Sequence, residues 1–416
     1  MKKSKNKLYV ADNLDIMRGM NSETVDLIYL DPPFNSKRIY AAPIGSPAEK
    51  KAAAKGKVAS FDDIWTWNDD VDIRLESFLD SHADLFVYIQ SVGKIHGLPM
   101  KAYLTFMAQR IIEMHRILKS TGSLYLHCDP TANSYLRVLL DDVFGKHNFR
   151  NEIVWRIGWV SGYKTQKKGW VRNHDTILYY LKSKDAASLF NKEYIPYPED
   201  YVRRDGKKPT GRGIPMEDTW NCNSSDILDS IAIKSFSTEK TGYPTQKPLL
   251  LMERIIKASS SEGDMVMDPF CGCATTCVAA QNLHRNWIGI DVSEVAVDLV
   301  TDRLSREQDG QLLLFTDFVP LKTPPARTDQ PKLTWNKKRI REHLYGKQKG
   351  YCNGCNKHFE IIHLEIDHIF PESRGGAWVL ENLQLLCGNC NRIKGDRPME
   401  YLQAAIKARG ERIQFF

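Results

Sequence analysis

The sequence predicts an α/β fold built on a parallel sheet, followed by a small separate domain at the C-terminus. Apolar runs bounded by turn residues are typical of buried strands and occur at residues 25–30, 123–127, 265–267 and 287–290. Helical patterns lie between them, at residues 103–119, 249–258 and 295–306. Because strands and helices alternate along the chain, we expect a layered α/β architecture.

A proline-rich stretch divides the chain. Residues 319–332 contain four prolines and favour a stiff, extended linker. We therefore predict a large domain at residues 1–318, a linker at 319–335 and a second domain at 336–416. Within the large domain, the polar region at about 162–241 interrupts the alternation, and such insertions usually lie at the binding edge of an α/β core.

The composition is that of a globular protein without a membrane anchor. Of 416 residues, 42% are hydrophobic, yet no window of about 18 apolar residues occurs, so we expect no membrane span and a cytoplasmic protein. The nine cysteines are clustered, which favours reduced thiols, some of them metal ligands, over a disulfide framework.

The positive charge is concentrated in the tail. Residues 320–416 hold 17 Lys and Arg against 10 Asp and Glu, which accounts for the whole net charge of +7. Such a tail suits a polyanion, of which nucleic acid is the commonest. A merely soluble basic surface explains the charge equally well.

The first candidate site follows the strand at 25–30, where Asp31, Pro32, Pro33 and Phe34 come in succession. A carboxylate with two prolines at the C-terminal end of a buried strand lies where α/β proteins bind ligands. Taken alone, however, such a motif is more often a simple turn.

A second candidate site runs from the strand at 265–267 into a helix. Segment 268–276 contains small residues, including Gly272, that let the backbone approach a ligand. About twenty residues later a strand ends at Asp291, whose carboxylate can accept hydrogen bonds from ribose hydroxyls. The alternative is a close-packed strand-to-helix turn such as any α/β protein contains.

Together with residues 243–248, these motifs resemble the β class of DNA amino-methyltransferases, in which the Asp-Pro-Pro-aromatic motif precedes the cofactor motif. The resemblance covers residues 5–318. It implies a Rossmann-like methyltransferase with a mostly parallel seven-stranded sheet, S-adenosylmethionine as methyl donor, and a target-recognition region at about 162–241. The motif favours adenine N6 over cytosine N4, which remains the alternative.

The resemblance also implies roles for individual residues. The methionine and ribose parts of the cofactor would lie against Asp268, Phe270 and Gly272, its ribose hydroxyls against Asp291, its carboxylate near Lys247 and its adenine near Asp12. Cys273 departs from the family pattern, in which glycine is common. The Cys273 side chain should narrow the turn after β-strand residues 265–267 without blocking binding of the cofactor.

The catalytic motif explains how a weakly nucleophilic amine is activated. The lone pair of an exocyclic amine is delocalised into the ring, and the Asp31 carboxylate and Pro32 carbonyl would accept its two hydrogens. Pro32 and Pro33 would hold these acceptors in place. A base inside a duplex must first be flipped out, and Phe34 is placed to stack on it. The expected partner is therefore double-stranded DNA, and we also consider a homodimer.

Aromatic residues and cations are interleaved between residues 155 and 172. They are Trp155, Arg156, Trp159, Tyr163, Lys164, Lys167, Lys168, Trp170 and Arg172. This composition suits phosphate contacts and base stacking. It suits equally well a core of tryptophans with lysines in water. The lysines at 50, 51, 55 and 57 are more typical of a solvated segment.

Two cysteine pairs in the tail predict a metal site. Cys352 and Cys355 form one C-x2-C knuckle and Cys387 and Cys390 the other, a spacing typical of tetrahedral zinc. Because a small domain has a small core, we expect the ion to supply much of its folding free energy.

The sequence between and after these knuckles resembles HNH endonucleases of the ββα-metal type, over residues 336–400. The resemblance implies that Asp367 and Asn391 bind magnesium or manganese, that His368 is the general base for water, and that Asn382 orients the loop. Asn391 replaces the final histidine of the family name, which favours hard ions. The alternative is a scaffold kept only for DNA binding.

These observations predict a DNA methyltransferase fused to a nuclease that nicks or cleaves DNA, as in restriction-modification or phage defence. A methyltransferase whose C-terminal module only binds DNA is the second hypothesis, and methylation of RNA a third.

Overall fold

The computed structural model describes residues 5–35, 39–41, 60–67, 69–76, 78–79, 82–157, 166, 168–222, 241, 243, 245–293, 298–300, 320–329 and 333–413. The chain divides into two compact units. The first comprises Met1–Val10, Glu23–Ile64 and Met114–Leu321, and the second Ala11–Ser22, Trp65–Glu113 and Lys322–Phe416. The predicted boundaries on either side of the linker 319–335 stay a prediction.

The strands are, in chain order, β1 (Lys7–Val10), β2 (Val25–Leu30), β3 (Ile39–Ala41), β4 (Ser60–Asp62), β5 (Leu118–Cys128), β6 (Phe149–Arg156), β7 (His174–Leu181), β8 (Tyr194–Ile195), β9 (Ile214–Pro215), β10 (Thr219–Trp220), β11 (Met265–Asp268), β12 (Asn286–Asp291), β13 (Leu364–His368) and β14 (Leu383–Cys387). The α-helices are Asn13–Gly19, Asp69–Glu76, Ala83–His96, Leu98–Ile117, Asn133–Leu140, Leu249–Ser259, Thr275–Asn282, Lys337–Lys347, Gly388–Lys394 and Met399–Ile413. Shorter helical turns occupy Asp141–Gly145, Lys146–Asn148, Lys184–Leu189, Ile361–His363, Glu372–Arg374 and Leu380–Asn382.

A mixed sheet forms the centre of the first unit, in the order β1-β12-β11-β2-β5-β7-β6-β10. Strands β1, β12, β11, β2 and β5 run parallel to one another, while β7 is antiparallel to both β5 and β6. The predicted mostly parallel sheet is therefore confirmed. Within the described part of the chain it has eight strands instead of seven, because the two-residue strand β10 pairs with β6.

The predicted elements coincide with observed ones. The four predicted strands correspond to β2, β5, β11 and β12, and β5 begins earlier than expected because Leu118 already pairs with Val25. The helices predicted at 103–119 and 249–258 correspond to Leu98–Ile117 and Leu249–Ser259. Of the helix predicted at 295–306, only residues 298–300 lie within the described chain, and they are helical.

Large side chains on both faces of the sheet build the core of the first unit. Trp155 and Trp287 are 1% exposed, and Tyr125 stacks on Tyr179 with ring centroids 4.3 Å apart. The Tyr125 hydroxyl lies 2.6 Å from the Ser259 hydroxyl and so keeps its polar group satisfied inside the core. Burial on both faces explains why the strands are continuous apolar runs in the sequence.

The second unit contains a ββα arrangement. Strands β13 and β14 pair antiparallel, and the helix Gly388–Lys394 follows β14 directly. The helix Lys337–Lys347 begins at Asn336, whose side chain accepts a hydrogen bond from the Arg339 N–H. The core of this arrangement consists of Ile340, Leu344, Leu364, Leu383, Leu385, Leu386, Met399 and Leu402 together with three of the four tail cysteines.

Among the described helices, none combines the length and the apolar character that crossing a membrane requires.

Candidate functional site

Three acidic residues lie at one edge of the sheet in the first unit. Asp268 and Asp291 end the neighbouring strands β11 and β12, and Asp31 follows β2 directly. Because these strands are parallel and Met267 pairs with Ile28, their carboxyl ends meet at the same edge. The structure thus brings the two candidate motifs of the sequence together.

The Asp31 carboxylate is held by a cation from a distant part of the chain. The Lys247 ammonium donates a hydrogen bond to Asp31 Oδ2, and the side chains of Lys247 and Asp31 are only 11% and 15% exposed, respectively. Asp31 Oδ1 is buried and has no hydrogen-bond partner among the described residues. A buried carboxylate oxygen without a donor is costly, so this oxygen is an acceptor poised for a ligand.

The loop after Asp31 is fixed by a second carboxylate, that of Asp63. The Asn35 N–H donates to Asp63 Oδ1 at 2.8 Å, and the Phe34 N–H donates to Oδ2 at 3.2 Å. Asn35 has a φ of +57°, a left-handed conformation that asparagine tolerates better than most residues. Asp63 is fully buried, so a carboxylate inside the protein fixes the backbone of this loop. Sequence reasoning missed Asp63.

Phe34 lies against a buried histidine that sequence reasoning also missed. The rings of Phe34 and His127 stack at 6.1 Å with an interplanar angle of 18°. His127 Nδ1 lies 2.9 Å from the Tyr29 hydroxyl, and Nε2 lies 3.3 Å from Asp175 Oδ2. The only sequence signal was its position beside Cys128 at the end of a predicted strand.

The carboxylate behind His127 is strongly ionised. Burial by itself raises the pKa of Asp175, but the hydrogen bond and charge of His127, with the charges of Lys247 and Arg172, lower that pKa to about 2. Arg172 donates to Asp175 and, at 3.1 Å, to Asp129. A chain of polar contacts therefore runs along this edge of the sheet.

The glycine of the second motif allows a close approach of two segments. Gly272 has a φ of +50°, and a Cβ atom there would come within 2.9 Å of the Tyr243 ring. Its N–H donates to Asp291 Oδ2 at 2.9 Å, and the Ser293 N–H donates to Oδ1 at 2.8 Å. Burial raises the pKa of Asp291. Only a residue without a side chain fits this turn.

Asp268 is more deeply buried than Asp31 and Asp291, the other two acids that end or follow the strands at this edge. It is 4% exposed, accepts hydrogen bonds from the Phe270 N–H at 3.0 Å and the Thr276 hydroxyl at 2.6 Å, and so ties the turn to the following helix. Burial raises the pKa of Asp268 to about 7 against these hydrogen bonds, and the charges of Asp31 and Asp291 add to the increase.

Asp12 belongs to the second unit and caps a helix. It accepts a hydrogen bond from the Leu14 N–H at 2.8 Å, which satisfies the N-terminus of the helix Asn13–Gly19. Arg110 donates to both oxygens of Asp12, at 2.7 and 3.0 Å. The carboxylate therefore has a structural function of its own, and its predicted contact with the cofactor adenine stays a prediction.

The interleaved aromatics and cations separate into two groups. Trp155 is part of the core, whereas Trp170 is 98% exposed and Arg172 lies at the sheet edge. Trp159, Tyr163, Lys164, Lys167 and the lysines at 50, 51, 55 and 57 lie outside the described residues. Neither alternative interpretation therefore holds for the whole stretch.

The four tail cysteines converge in the second unit. Their sulfur atoms all lie within 4.8 Å of one another, and a tetrahedral zinc site with Zn–S bonds of about 2.3 Å requires separations of about 3.8 Å. Burial raises the pKa of Cys352, but backbone N–H groups, including those of Cys387 and Gly354 at 3.2 and 3.4 Å, lower it below the usual value. These donors favour a thiolate at Cys352, and the four convergent sulfur atoms fit a tetrahedral zinc ion.

The acidic residue predicted to bind a divalent metal already faces a cation. Lys394, which is 1% exposed, places its ammonium 3.1 Å from Asp367 Oδ2, and the Gln384 amide donates to the same oxygen at 2.9 Å. Asn391 donates to Glu365 Oε2 at 2.5 Å. Oxygen atoms that could coordinate a hard metal ion are thus present on β13, from Asp367, and on the helix Gly388–Lys394, from Asn391. The Asp367 carboxylate is already in contact with Lys394.

His368 is the last residue of β13, and Asn382 directly precedes β14 at the other end of the connecting segment. His368 Nε2 is buried without a hydrogen-bond partner among the described residues, and burial lowers the pKa of His368. Asn382 accepts a hydrogen bond from the Phe370 N–H at 2.8 Å and donates to the carbonyls of Phe370 and Ala377, at 3.0 and 2.9 Å. Asn382 therefore fixes the loop that follows His368.

Comparison with known proteins identifies both parts of the chain. The sequence matches the DNA methylase family over residues 25–302 and the HNH endonuclease family over residues 352–397. Since the first match covers more than half of the chain, this protein belongs to the DNA methylase family. The resemblance inferred from the motifs is thereby confirmed.

The relatives are bacterial modification enzymes. Type II methyltransferase M.HpaI of Haemophilus parainfluenzae is 29% identical over 229 residues, which cover 53% of this chain and 67% of that protein. Type II methyltransferase M.EcaI of Enterobacter cloacae is 31% identical over 262 residues, covering 49% of this chain and 58% of that protein. Among solved structures, that of the M1.HpyAVI–SAM complex is similar to this chain, with 20% sequence identity and a TM-score of 0.38. The alignment covers 71% of this chain and 98% of the M1.HpyAVI chain.

Proposed function

We propose that this protein transfers the methyl group of S-adenosylmethionine to N6 of an adenine flipped out of double-stranded DNA. The observation that carries the proposal is the state of Asp31, whose Oδ2 is held by Lys247 while Oδ1 is buried without a partner among the described residues. An amine hydrogen is the kind of donor that such an oxygen lacks.

The chain's own residues prepare the amine. Asp31 Oδ1 and the Pro32 carbonyl accept the two amine hydrogens, which favours a tetrahedral nitrogen with its lone pair exposed. Lys247 and the backbone contacts of Asp63 hold these acceptors in place before the base arrives. This is electrostatic preorganisation, since the acceptors need not move during the reaction. Phe34 offers a ring face to the extruded base.

The second motif has the properties of a cofactor cradle. Gly272 lets the turn pack closely against Tyr243, Phe270 supplies an apolar wall, and Asp268 and Asp291 supply acceptors at the end of their strands. When bound there, S-adenosylmethionine supplies an electrophilic methyl group on a sulfonium. Lys247 would hold Asp31 and also approach the cofactor carboxylate.

Adenine is proposed because, within the family that this chain resembles, a motif with aspartate before the prolines and phenylalanine after them is typical of adenine N6 enzymes. Cytosine N4 carries the same type of exocyclic amine and would be activated by the same contacts, so it remains the alternative substrate.

For the C-terminal module we propose metal-dependent cleavage of DNA. His368 would take a proton from water through Nε2, which has no hydrogen-bond partner in the part of the chain that the structure describes, while Asp367 and Asn391 would hold the ion and Asn382 would keep the loop in place. A divalent ion bound there polarises a phosphate and lowers the pKa of water. The pair Lys394–Asp367 favours a second candidate, a module that only binds DNA, because the ammonium already neutralises the carboxylate.

One experiment tests both activities. Unmodified plasmid is incubated with the protein, with and without S-adenosylmethionine and magnesium, and methyl marks and strand breaks are mapped at base resolution. We expect N6-methyladenine at a defined sequence only with the cofactor, and breaks only with magnesium. Marks on cytosine N4 would replace the adenine assignment, and breaks that persist in His368→Ala would contradict the nuclease assignment.

A further inference from the structure

Trp170 is the most exposed large apolar side chain of the described chain, at 98%. The other tryptophans of the first unit that the structure describes are buried, at 1% for Trp155 and Trp287 and 6% for Trp220. An indole left in water forgoes the favourable free energy of burial, so an exposed tryptophan can gain that free energy from a partner. Single exposed apolar residues are common, however, and the position of this one decides its meaning.

The segment that carries Trp170 enters the sheet at the edge where Asp31, Asp268 and Asp291 lie. Residues 168–173 lead into β7, and the start of β7 runs beside the end of β5, where Thr176 pairs with Cys128. Strand β5 is parallel to β2, and Leu126 pairs with Leu30, the residue before Asp31. Trp170 and the catalytic motif therefore emerge at the same edge.

Arg172 anchors this segment to the residues behind Phe34. It donates to Asp129 at 3.1 Å and to Asp175, and Asp175 contacts His127 at 3.3 Å. His127 in turn stacks on Phe34. A continuous series of contacts thus fixes the base of the Trp170 segment relative to the ring that faces the extruded base.

We propose that Trp170 inserts into the DNA duplex and occupies the space that the flipped base leaves. An indole has the area and flatness to stack between the neighbouring bases, and inserted apolar side chains stabilise unstacked steps in this way. Lys168, which is exposed two positions before Trp170, supplies a positive charge for a nearby phosphate, while Arg172 remains paired with Asp129 and Asp175 and holds the segment. DNA is therefore a better partner for this side chain than an apolar protein surface. This inference rests on the proposed methyl transfer to a flipped base.

The test uses the full-length protein and a duplex containing its mapped target sequence. Trp170→Ala is compared with wild type on the ordinary duplex and on a duplex whose target base faces an abasic site. Because the second substrate is already unpaired, it needs less help to flip. We expect kcat/KM on the ordinary duplex to fall about 5- to 150-fold, the range that corresponds to loss of one stacking contact, and the loss to shrink on the unpaired substrate.

Two further variants make the result specific. Trp170→Phe keeps an aromatic face and should recover most of the lost kcat/KM. Ile95→Ala removes an apolar side chain that is 74% exposed on the helix Ala83–His96, and this control should behave as wild type. S-adenosylmethionine binding by Trp170→Ala should equal that of wild type.

A second readout does not depend on turnover. Wild type should bind more tightly to a duplex with an abasic site in place of the target base, which leaves room for the indole, than to the intact duplex, and Trp170→Ala should lose this preference. Equal losses on paired and unpaired substrates, or unchanged kinetics, would overturn the role of Trp170 while methyl transfer by wild type still upholds the proposed function. If wild type methylates no DNA, both proposals fail.

Discussion

The Lys247 ammonium binds one oxygen of the Asp31 carboxylate and leaves the other buried and without a partner in the described chain. The two residues are 216 positions apart, and their pairing joins the catalytic motif to the segment that precedes the cofactor motif. The sequence suggested a different task for Lys247, the cofactor carboxylate. In the structure Lys247 contacts Asp31, and its predicted contact with the cofactor carboxylate stays a prediction.

Replacement of Lys247 by alanine separates these two tasks. If Lys247 mainly orients Asp31, Lys247→Ala should lower kcat about 10- to 100-fold, the range for loss of a hydrogen bond to a charged group, with a smaller change in S-adenosylmethionine affinity. Steady-state kinetics and calorimetric binding measure both. The control Lys257→Ala removes a lysine that pairs with Glu253 on a helix surface. A loss of cofactor affinity with unchanged kcat would assign Lys247 to the cofactor alone.

His127 should act as a positioning residue. His127→Phe keeps a ring beside Phe34 but loses the polar contacts with Tyr29 and Asp175. We expect a fall in kcat of about 10-fold or more with unchanged cofactor affinity, because Phe34 would no longer be held at one position. Tyr180→Phe, which removes a buried contact with Asp141 at 2.6 Å elsewhere in the sheet, is the matched control. Equal effects of both variants on kcat would indicate a general loss of packing.

Part of this site followed from the sequence. Asp31, Asp268 and Asp291 were each predicted to follow or end a buried strand, and the parallel pairing of these strands brings their carboxyl ends to one edge. The metal site of the four cysteines was also predictable, because the two cysteines of each knuckle are only three positions apart in the sequence.

The supporting residues could not be predicted in this way. Asp63 contacts Asn35 across 28 positions and His127 contacts Tyr29 across 98, and neither residue has a neighbour that marks its role. The interleaved segment was ambiguous for a related reason. Whether Trp155 or Trp170 enters the core depends on strand pairing, which composition does not reveal.

The stability of the first unit should depend on the pH through Asp268. The pKa of this carboxyl is raised from 3.8 to about 7, so its contribution is fully present below about pH 4 and is lost as the pH rises through 7. Asp268→Asn cannot ionise and should therefore gain stability relative to wild type at pH 8, by up to about 4 kcal/mol, but not at pH 4. Chemical unfolding at both values checks this. A difference that is the same at pH 4 and pH 8 would contradict the pKa.

The C-terminal module should contain one zinc ion per chain. Cys390→Ser removes a ligand from the core of this module, so we expect loss of the metal and early unfolding of residues around the knuckles. Elemental analysis and hydrogen exchange measure the two effects. Cys222→Ser, at an exposed cysteine outside the cluster, should change neither. Full zinc content in Cys390→Ser would remove this residue from the site.

The most direct test concerns Asp31 Oδ1, the carboxylate oxygen that has no hydrogen-bond partner among the described residues. Transfer of labelled methyl groups to DNA is measured for wild type, Asp31→Asn and Asp31→Ala, with S-adenosylmethionine binding measured on the same preparations. Loss of a preorganised polar contact predicts a fall in kcat of at least about 100-fold in both variants, with cofactor binding largely retained. Methyl transfer by Asp31→Ala at a rate near that of wild type would contradict the account.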